Sequence, residues 1–266
     1  MIYYPNAKLN IGLNVLSKRE DGFHNIQSLI VPIPLYDILE VVKQKDEYDT
    51  KISYSGFIFD NNKADLVMRA YDLIKHDFDI PNIRIHLHKV IPIQSGLGGG
   101  SSNAVFMIKL LNELFTLGLN YDQLYRYANC LGSDCAFFIS NKSALVSGTG
   151  TIIEPMYFPI SHYQLVIVKP PLKCSTKDIF NNYIMTPSIP LSIPDNVDDW
   201  QGVVSNDLES VSVGIYPEIA CIKDYLYSSG ALYASMSGSG SSVYGLFKKN
   251  TIIKPYKDYW YRSFFI

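Results

Sequence analysis

Hydrophobic residues alternate with polar ones along residues 83–88 and recur every three or four positions along residues 104–115. The first pattern predicts a β-strand in which apolar and polar side chains face opposite ways: Ile83, Ile85 and Leu87 against Arg84, His86 and His88. The second predicts an amphipathic helix with a buried stripe formed by Ala104, Ile108, Leu111 and Phe115. Between them lies a glycine-rich loop, residues 92–103, and one of its last residues is expected to cap the helix: Ser101, Ser102 or Asn103.

The glycine-rich loop indicates a place where the backbone turns sharply and comes close to a ligand. Each glycine would cost roughly 0.5–1 kcal/mol inside a regular element. The helix N-terminus behind the loop directs free N–H groups and partial positive charge at one point, so a phosphate is the expected ligand. A Walker A loop is excluded because no lysine follows Gly100, and the dinucleotide fingerprint is excluded because Ser101 replaces its third glycine. A flexible linker is disfavoured because the loop leads directly into a helix.

A second alternating segment, residues 7–15, has an apolar face and a polar face, the latter formed by Lys8, Asn10, Gly12 and Asn14. From the pattern alone, a strand with one solvated face is the favoured interpretation. The turn signal Asp21-Gly22 follows, and it predicts a hairpin that ends in Phe23 and His24.

Other patterns predict further elements in the rest of the chain. Helices are expected over 64–75, 120–130 and 217–228, strands over 51–57 and 164–169, and a strand, a small-residue loop and a strand over 230–247. A helix capped by Ser175 or Thr176 completes the set. We place a domain boundary near residue 155, which divides the chain into 1–155 and 156–266, and we expect 186–200 to be irregular.

Composition narrows the class of protein. A chain of 266 residues with 47% hydrophobic and 18% charged residues can form one large or two modest globular domains. A net charge of −2 gives no sign of nucleic-acid binding. The four cysteines show no zinc spacing, and neither a secretory signal nor a span of ~18 apolar residues is visible. We therefore expect a cytoplasmic protein that binds neither nucleic acid nor membrane.

Several motifs in order along the chain resemble those of the GHMP kinases. They are Ala7-Lys8-x-Asn10, the loop Pro92-x-x-x-Gly96-Leu97-Gly98-Gly99-Gly100-Ser101-Ser102, the turn Gly132-Ser133-Asp134 and the segment Ser237-Gly238-Ser239-Gly240. The hairpin Arg19-x-Asp21-Gly22-Phe23-His24 resembles the branch that phosphorylates a cytidine-diphosphate-linked methylerythritol. Asn206-Asp207-Leu208-Glu209 resembles a helix start of this family. The likeness runs from Ala7 to Phe247, whereas residues 248–266 have no assigned function.

The resemblance implies a role for each matching residue. Lys8 and Asp134 correspond to catalytic residues that lie close together, the aspartate as the carboxylate that accepts or orients the substrate proton. The residues expected to bind ATP are Lys89, Pro92, Ile93, Gln94, Ser95, Gly96, Leu97, Gly98, Gly99, Gly100, Ser101 and Ser102. Those expected to bind the acceptor are Asn10, Phe23, His24, Phe180, Gly238 and Ser239.

The chain departs from the family pattern at some of these positions. Phe23 replaces a tyrosine, which keeps a ring for stacking on cytosine but removes a hydroxyl. Asp65 replaces an asparagine near the adenine, which puts that base contact in doubt. On pattern alone, Asp134 would be a helix cap, whereas the pattern at Phe180 fits a core residue of its helix as well as a residue that contacts the cytosine.

As an expectation, the resemblance describes an α+β protein with two domains, an N-terminal one like ribosomal protein S5 and a C-terminal ferredoxin-like one. It implies transfer of the γ-phosphate of ATP, with Mg²⁺, to the 2-hydroxyl of the cytidyl acceptor in isoprenoid precursor synthesis by the non-mevalonate route. The enzyme is expected to be a monomer or a weak homodimer. Alternatives are a GHMP kinase for mevalonate or homoserine, and a non-catalytic nucleotide-binding protein of the same fold.

Overall fold

The computed structural model describes residues 1–45, 48–57, 65–158, 160, 162–186 and 189–266. In chain order the strands are β1 (Ile2–Tyr3), β2 (Asn6–Lys18), β3 (His24–Tyr36), β4 (Ile38–Lys43), β5 (Lys51–Gly56), β6 (Ile83–Lys89), β7 (Ala144–Gly148), β8 (Ile152–Pro155), β9 (Tyr163–Lys169), β10 (Tyr233–Met236), β11 (Val243–Lys248) and β12 (Trp260–Phe265). The α-helices are α1 (Leu66–Asp77), α2 (Gly99–Leu114), α3 (Tyr121–Leu131), α4 (Phe137–Ser140), α5 (Thr176–Asn181), α6 (Asp207–Ile215) and α7 (Glu218–Ser228).

The chain divides into two compact units, each built from three stretches. Unit 1 contains Met1–Ala7, Leu35–Ile93 and Gly98–Lys142, and unit 2 contains Lys8–Pro34, Gln94–Leu97 and Ser143–Ile266. The units interleave along the chain, so they do not correspond to a single cut near residue 155, and a family domain boundary at that point stays a prediction. Residue 64, where the first helix was expected to begin, lies outside the described residues, as do 187 and 188 of the segment expected to be irregular.

Unit 1 is organised around a sheet in the order β1-β4-β6-β5, in which only the β5–β6 pair is parallel. The predicted alternation of β6 is confirmed, because Ile83, Ile85 and Leu87 are all buried. The predicted helix after the glycine loop is also present as α2, but its expected cap is wrong. Gly98 is the N-cap, with a left-handed φ of 69°, so the glycines themselves form the first turn. Glycine adopts that φ without the steric cost that a side chain brings.

Unit 2 contains a sheet in the order β10-β11-β9-β12 and most of a sheet in the order β2-β3-β7-β8. Helices α5, α6 and α7 and the end of β2 contribute side chains to one apolar cluster, which includes Leu13, Val15, Val166, Val168, Ile179, Leu208, Ile219, Ile222, Val243 and Phe247. Residues 248–266, which the motifs left unassigned, end in β12, a strand that pairs antiparallel with β9 at the edge of its sheet. In the part of the chain that is described, no helix has the length and apolar character needed to cross a bilayer.

Candidate functional site

The polar face of β2 is buried rather than solvated, so the interpretation favoured by the pattern alone was wrong. Lys8 is only 3% exposed and Asn10 only 4%. The ammonium of Lys8 donates a hydrogen bond to Oδ1 of Asn10. Asn10 Nδ2 donates to Oγ of Ser28 at 2.8 Å, and Ser28 donates to the carbonyl of Gly12 at 2.6 Å. Because buried charges and amides need partners, this chain of bonds fixes the orientation of the lysine and asparagine.

The first half of the glycine-rich loop packs directly on β2 and on the loop between β10 and β11, within unit 2. The N–H of Lys8 donates to the carbonyl of Leu97 at 3.0 Å. The hydroxyl of Ser237 donates to the carbonyl of Gly96 at 2.9 Å and accepts the N–H of Asn10 at 3.2 Å. A β-carbon on Gly96 would overlap the carbonyl of Ser237. Gly96 is therefore required by close approach of two backbones as well as by its φ of +76°.

Gly238 brings the second small-residue loop next to the same polar side chains. A β-carbon at Gly238 would lie 3.2 Å from Oδ1 of Asn10 and 3.6 Å from Nζ of Lys8. The carbonyl of Gly238 accepts a bond from Asn206 Nδ2 at 2.8 Å, and the hydroxyl of Ser239 lies 2.8 Å from that of Thr176. Unit 2 thus brings together the predicted residues Lys8, Asn10, Gly96, Leu97 and Gly238.

The second half of the loop is the first turn of α2 in unit 1. The N–H of Ser102 donates to the carbonyl of Gly98 at 2.9 Å, and no side chain caps this end. The backbone N–H groups of Gly99, Gly100 and Ser101 have no acceptor within the helix, because no helical turn precedes them. They are therefore available to an anion. Oγ of Ser102 is buried and has no hydrogen-bond partner in the described structure. Such a hydroxyl matches what a phosphate or its bound cation requires.

Lys89, expected near the nucleotide, is 5% exposed and forms an ion pair with Asp37, which is fully buried. Its Nζ also donates to Oδ1 of Asn103 at 2.8 Å. Burial lowers the pKa of Lys89, and the carboxylate of Asp37 opposes that shift. Sequence reasoning missed Asp37 and the contacts of Asn103. The available signal was an acid within the apolar, β-rich run of residues 28–42, where a buried acid is uncommon unless it is paired.

Asp134 lies in the 3₁₀ turn Ser133–Cys135, where it is half-buried. The N-caps of this turn and of α4 are Gly132 and Ala136, so Asp134 occupies neither cap position. The alternative that Asp134 is only a helix cap is therefore not supported. In the same turn, burial raises the pKa of the Cys135 thiol to about 12, so this cysteine stays protonated at neutral pH.

The predicted hairpin is confirmed, and its two aromatic residues have different environments. Phe23 is 64% exposed, whereas His24 is 8% exposed. The ring of His24 stacks on Phe180, with centroids 5.3 Å apart, and meets the edge of Tyr183 at 6.4 Å. Burial lowers the pKa of His24, and the charge of Lys18 acts in the same direction, so both favour the neutral imidazole.

Asp65, which stands where the related kinases carry an asparagine, caps α1. Its Oδ1 accepts the N–H of Val67 at 2.6 Å, and its other oxygen accepts the hydroxyl of Tyr54. Burial, together with this hydrogen bond, raises the pKa of Tyr54. The described residues contain no group of three or more His, Cys, Asp or Glu side chains placed to hold a metal ion.

Comparison with known proteins identifies the family. The pattern described as "GHMP kinases N terminal domain" matches residues 65–142, and "GHMP kinases C terminal" matches residues 198–262. The chain is 46% identical over 254 residues to the 4-diphosphocytidyl-2-C-methyl-D-erythritol kinase of Azobacteroides pseudotrichonymphae, with 94% of each chain covered. It is 45% identical over 252 residues to the kinase of the same name from Bacteroides fragilis, with 93% and 92% covered.

A solved structure supports the same conclusion. The fold is similar to that of a crystal structure of 4-(cytidine 5'-diphospho)-2C-methyl-D-erythritol kinase, with a TM-score of 0.77, 28% identity, and 92% and 90% of the two chains covered. The expected two-domain α+β fold is thereby confirmed. The chain belongs to the GHMP kinase family, within the branch of the 4-diphosphocytidyl-2-C-methyl-D-erythritol kinases.

Proposed function

We propose that this protein transfers the γ-phosphate of ATP to the 2-hydroxyl of 4-diphosphocytidyl-2-C-methyl-D-erythritol. The observation that carries the proposal is the buried Lys8–Asn10 pair, because it lies against backbone of both the phosphate loop, at Leu97, and the second small-residue loop, at Gly238. A buried ammonium held beside a glycine-rich phosphate loop suits phosphoryl transfer, in which catalysis is mainly positioning and charge stabilisation. The protein is proposed to work in the cytoplasm as a monomer or weak homodimer.

The nucleotide is proposed to bind along residues 92–102, with Lys89 beneath the first turn of α2. Backbone amides of Gly99, Gly100 and Ser101 at the helix N-terminus would hold the phosphates. The buried hydroxyl of Ser102 fits a Mg²⁺ ion carried by the phosphates, since hydroxyl and phosphate oxygens are the ligands that this ion prefers. Bound there, Mg²⁺ would neutralise negative charge on the phosphates.

Lys8 and Asp134 are proposed to act on the same acceptor hydroxyl. The carboxylate of Asp134 accepts or orients the proton of the hydroxyl as the oxygen attacks phosphorus. The ammonium of Lys8 draws the hydroxyl toward the phosphate and stabilises the negative charge that develops as the oxygen attacks. A general base of this kind contributes about 10²–10⁴-fold to the rate.

The cytosine of the acceptor is proposed to bind at the hairpin and α5. Phe23 and Phe180 offer ring faces, and His24 offers ring nitrogens that recognise the polar edge of the base. The neutral state of His24 leaves one nitrogen as a donor and the other as an acceptor. Asn10, Gly238 and Ser239 are proposed to contact the methylerythritol end, and the support for this is that Asn10 and Gly238 lie beside Lys8.

Turnover with Mg-ATP and the cytidyl acceptor tests the proposal, with mevalonate and homoserine as competing acceptors. Phosphorylation of the cytidyl acceptor alone is expected. Asp134→Ala is expected to lose at least about 100-fold in kcat while circular dichroism and the melting temperature stay near wild type. Comparable turnover of mevalonate or homoserine would refute the substrate assignment, and near-normal kcat in the variant would refute the role of Asp134.

A further inference from the structure

Three buried polar side chains of unit 1 form a closed hydrogen-bonded cluster beside the phosphate loop. Asp37, Lys89 and Asn103 are 0%, 5% and 2% exposed. Lys89 Nζ donates to Oδ2 of Asp37 and to Oδ1 of Asn103, and Asn103 Nδ2 donates to the same Oδ2 at 2.9 Å. Every member therefore bonds to both others. We refer to these residues as the Asp37 cluster.

The cluster joins segments that are distant along the chain. Asp37 lies between β3 and β4, Lys89 ends β6, and Asn103 lies in the second turn of α2. Oδ1 of Asp37 also accepts the backbone N–H groups of Val90 at 2.7 Å and Ile91 at 2.8 Å. One carboxylate thus holds the backbone that leads into the phosphate loop and, through Asn103, the helix that leaves it.

The lysine of the cluster lies directly beneath the first residue of that helix. A β-carbon at Gly99 would lie 3.2 Å from Nζ of Lys89 and 2.8 Å from Cγ2 of Ile91. Gly99 is the position at which α2 begins. Movement of the ammonium, or rotation of α2 about its axis, would therefore displace the first-turn amides.

Stability alone is a poor explanation for such a cluster. Replacing a buried ion pair by well-packed apolar residues is often neutral or stabilising, because both charges must leave water. What the cluster does provide is one defined position for the start of α2. Amides that hold a phosphate must keep their geometry closely, since a small displacement weakens every bond to the anion.

We propose that Asp37 is a positioning residue for nucleotide binding, and that it acts through Lys89 and Asn103 to hold the first turn of α2 against the phosphates. The proposal rests on the ATP binding put forward above and goes beyond it. The lysine side chain serves the cluster, and the nucleotide contacts the amides that the cluster holds in place.

A double-mutant cycle on nucleotide affinity tests this. Asp37→Asn, Lys89→Met and the combined variant are titrated with Mg-ADP and Mg-ATP by calorimetry, with no acceptor present. Each single variant is expected to bind at least about tenfold more weakly than wild type, and the combined variant within about threefold of the weaker single one, because partners in one network are not additive. In turnover assays, KM for ATP should rise while KM for the acceptor changes less than about twofold.

The outcomes separate this role from its competitors. Weak binding by Lys89→Met with wild-type binding by Asp37→Asn would mean direct contact of the lysine with the nucleotide and would overturn the proposal. Wild-type affinity in both, whatever their melting temperatures, would show a merely structural cluster. If Asp37→Asn does not fold, nucleotide affinity is compared between Lys89→Met and Asn103→Ser instead. A wild-type protein that binds ATP but phosphorylates no cytidyl acceptor would refute the proposed function and leave this test intact.

Asn6→Ala is the matched control. It breaks another polar pair of unit 1, in which the buried Asn6 and the partly buried Asn141 exchange hydrogen bonds of 3.1 and 2.7 Å. We expect a lower melting temperature with nucleotide affinity within about twofold of wild type. A loss of affinity in this control as large as that of Asp37→Asn would show that general destabilisation, rather than positioning, weakens binding.

Discussion

The imidazole ring of His24 lies stacked on the phenyl ring of Phe180, with 5.3 Å between the ring centroids and 27° between the planes. His24 begins β3, whereas Phe180 belongs to α5, so the contact joins two distant parts of unit 2. Both residues were proposed for the cytosine base on separate motifs. Because the two rings are adjacent, both proposals refer to the same place on the structure.

Removal of the Phe180 ring should weaken binding of the acceptor selectively. Stacking of a base on an aromatic side chain contributes about 1–3 kcal/mol, so Phe180→Ala is expected to raise KM for the cytidyl acceptor by about 5- to 150-fold. KM for ATP should stay within about twofold, because the nucleotide is proposed to bind at the phosphate loop. Phe180→Tyr keeps the ring and serves as the control, with KM near wild type. Steady-state kinetics with each substrate varied measures both KM values. An unchanged KM for the acceptor in the alanine variant would mean that Phe180 is only a core residue.

Loss of the Lys8 ammonium should affect the chemical step more than folding. The side chain is buried and its ammonium donates to the amide oxygen of Asn10, so Lys8→Met removes a buried charge without opening a large cavity. We expect kcat to fall at least about 100-fold with only a modest loss in melting temperature, because Oδ1 of Asn10 loses its donor.

The same variant tests cooperation with Asp134. Because residues that act as a unit are not additive, Lys8→Met combined with Asp134→Asn should be about as slow as the slower single variant. Multiplicative losses in kcat would indicate that the two residues act independently.

The glycines of the phosphate loop should differ sharply in their tolerance of a methyl group. Gly96 has a φ of +76° and no room beside the carbonyl of Ser237, so Gly96→Ala should lower the free energy of unfolding by more than about 2 kcal/mol. At Gly100 the nearest atom to a new β-carbon is Cδ1 of Leu66 at 3.6 Å, an ordinary contact. Gly100→Ala should therefore be as stable as wild type or slightly more so. Urea unfolding measures both, and equal effects would contradict the backbone packing described for Gly96.

Lys109 should make stability depend on pH in the alkaline range. Its Nζ donates to the carbonyls of Phe138 and Ile139 at 2.7 and 2.9 Å, and burial lowers its pKa to about 8. An unfolded lysine has a pKa of about 10.4, so between about pH 8 and 10 the unfolded chain binds more protons and the free energy of unfolding rises with pH. Between pH 7.5 and 9.5 the rise is about 2 kcal/mol.

Lys109→Met isolates that contribution. The difference in free energy of unfolding between wild type and variant, obtained from urea melts at the two pH values, should change by about 2 kcal/mol in favour of wild type. An unchanged difference would mean that the folded protein keeps this lysine protonated throughout the range.

Local patterns predicted those elements whose signal lies in neighbouring residues. The period of β6 predicted its buried face, a capping residue predicted where α5 begins, and the family motif at Asn206 predicted where α6 begins: Ser175 and Asn206 are their N-caps. The start of α2 was predicted too late in the chain. A search for a capping side chain favours serine or asparagine, whereas the helix begins at Gly99 behind a left-handed Gly98 that needs no such cap.

Burial of the polar face of β2 could not be predicted from its alternation. The same pattern of Lys8, Asn10 and Asn14 describes a solvated face or a buried one, and the choice depends on what packs against it. Ser237 and Gly238 lie beside Asn10, and the carbonyl of Ile189 accepts a bond from Asn14 at 2.8 Å. These partners come from far along the chain.

The sequence by itself determined the family, the order of strand, phosphate loop and helix, and the residue types available for chemistry, because those properties reside in short motifs and local periodicity. Only the tertiary structure decided that Lys8 is buried against Asn10, that Gly96 lies against the backbone of Ser237, and that Asp37 joins Lys89 and Asn103. Each of these contacts depends on chain segments that meet through packing, and no local pattern encodes which distant groups will share a buried space.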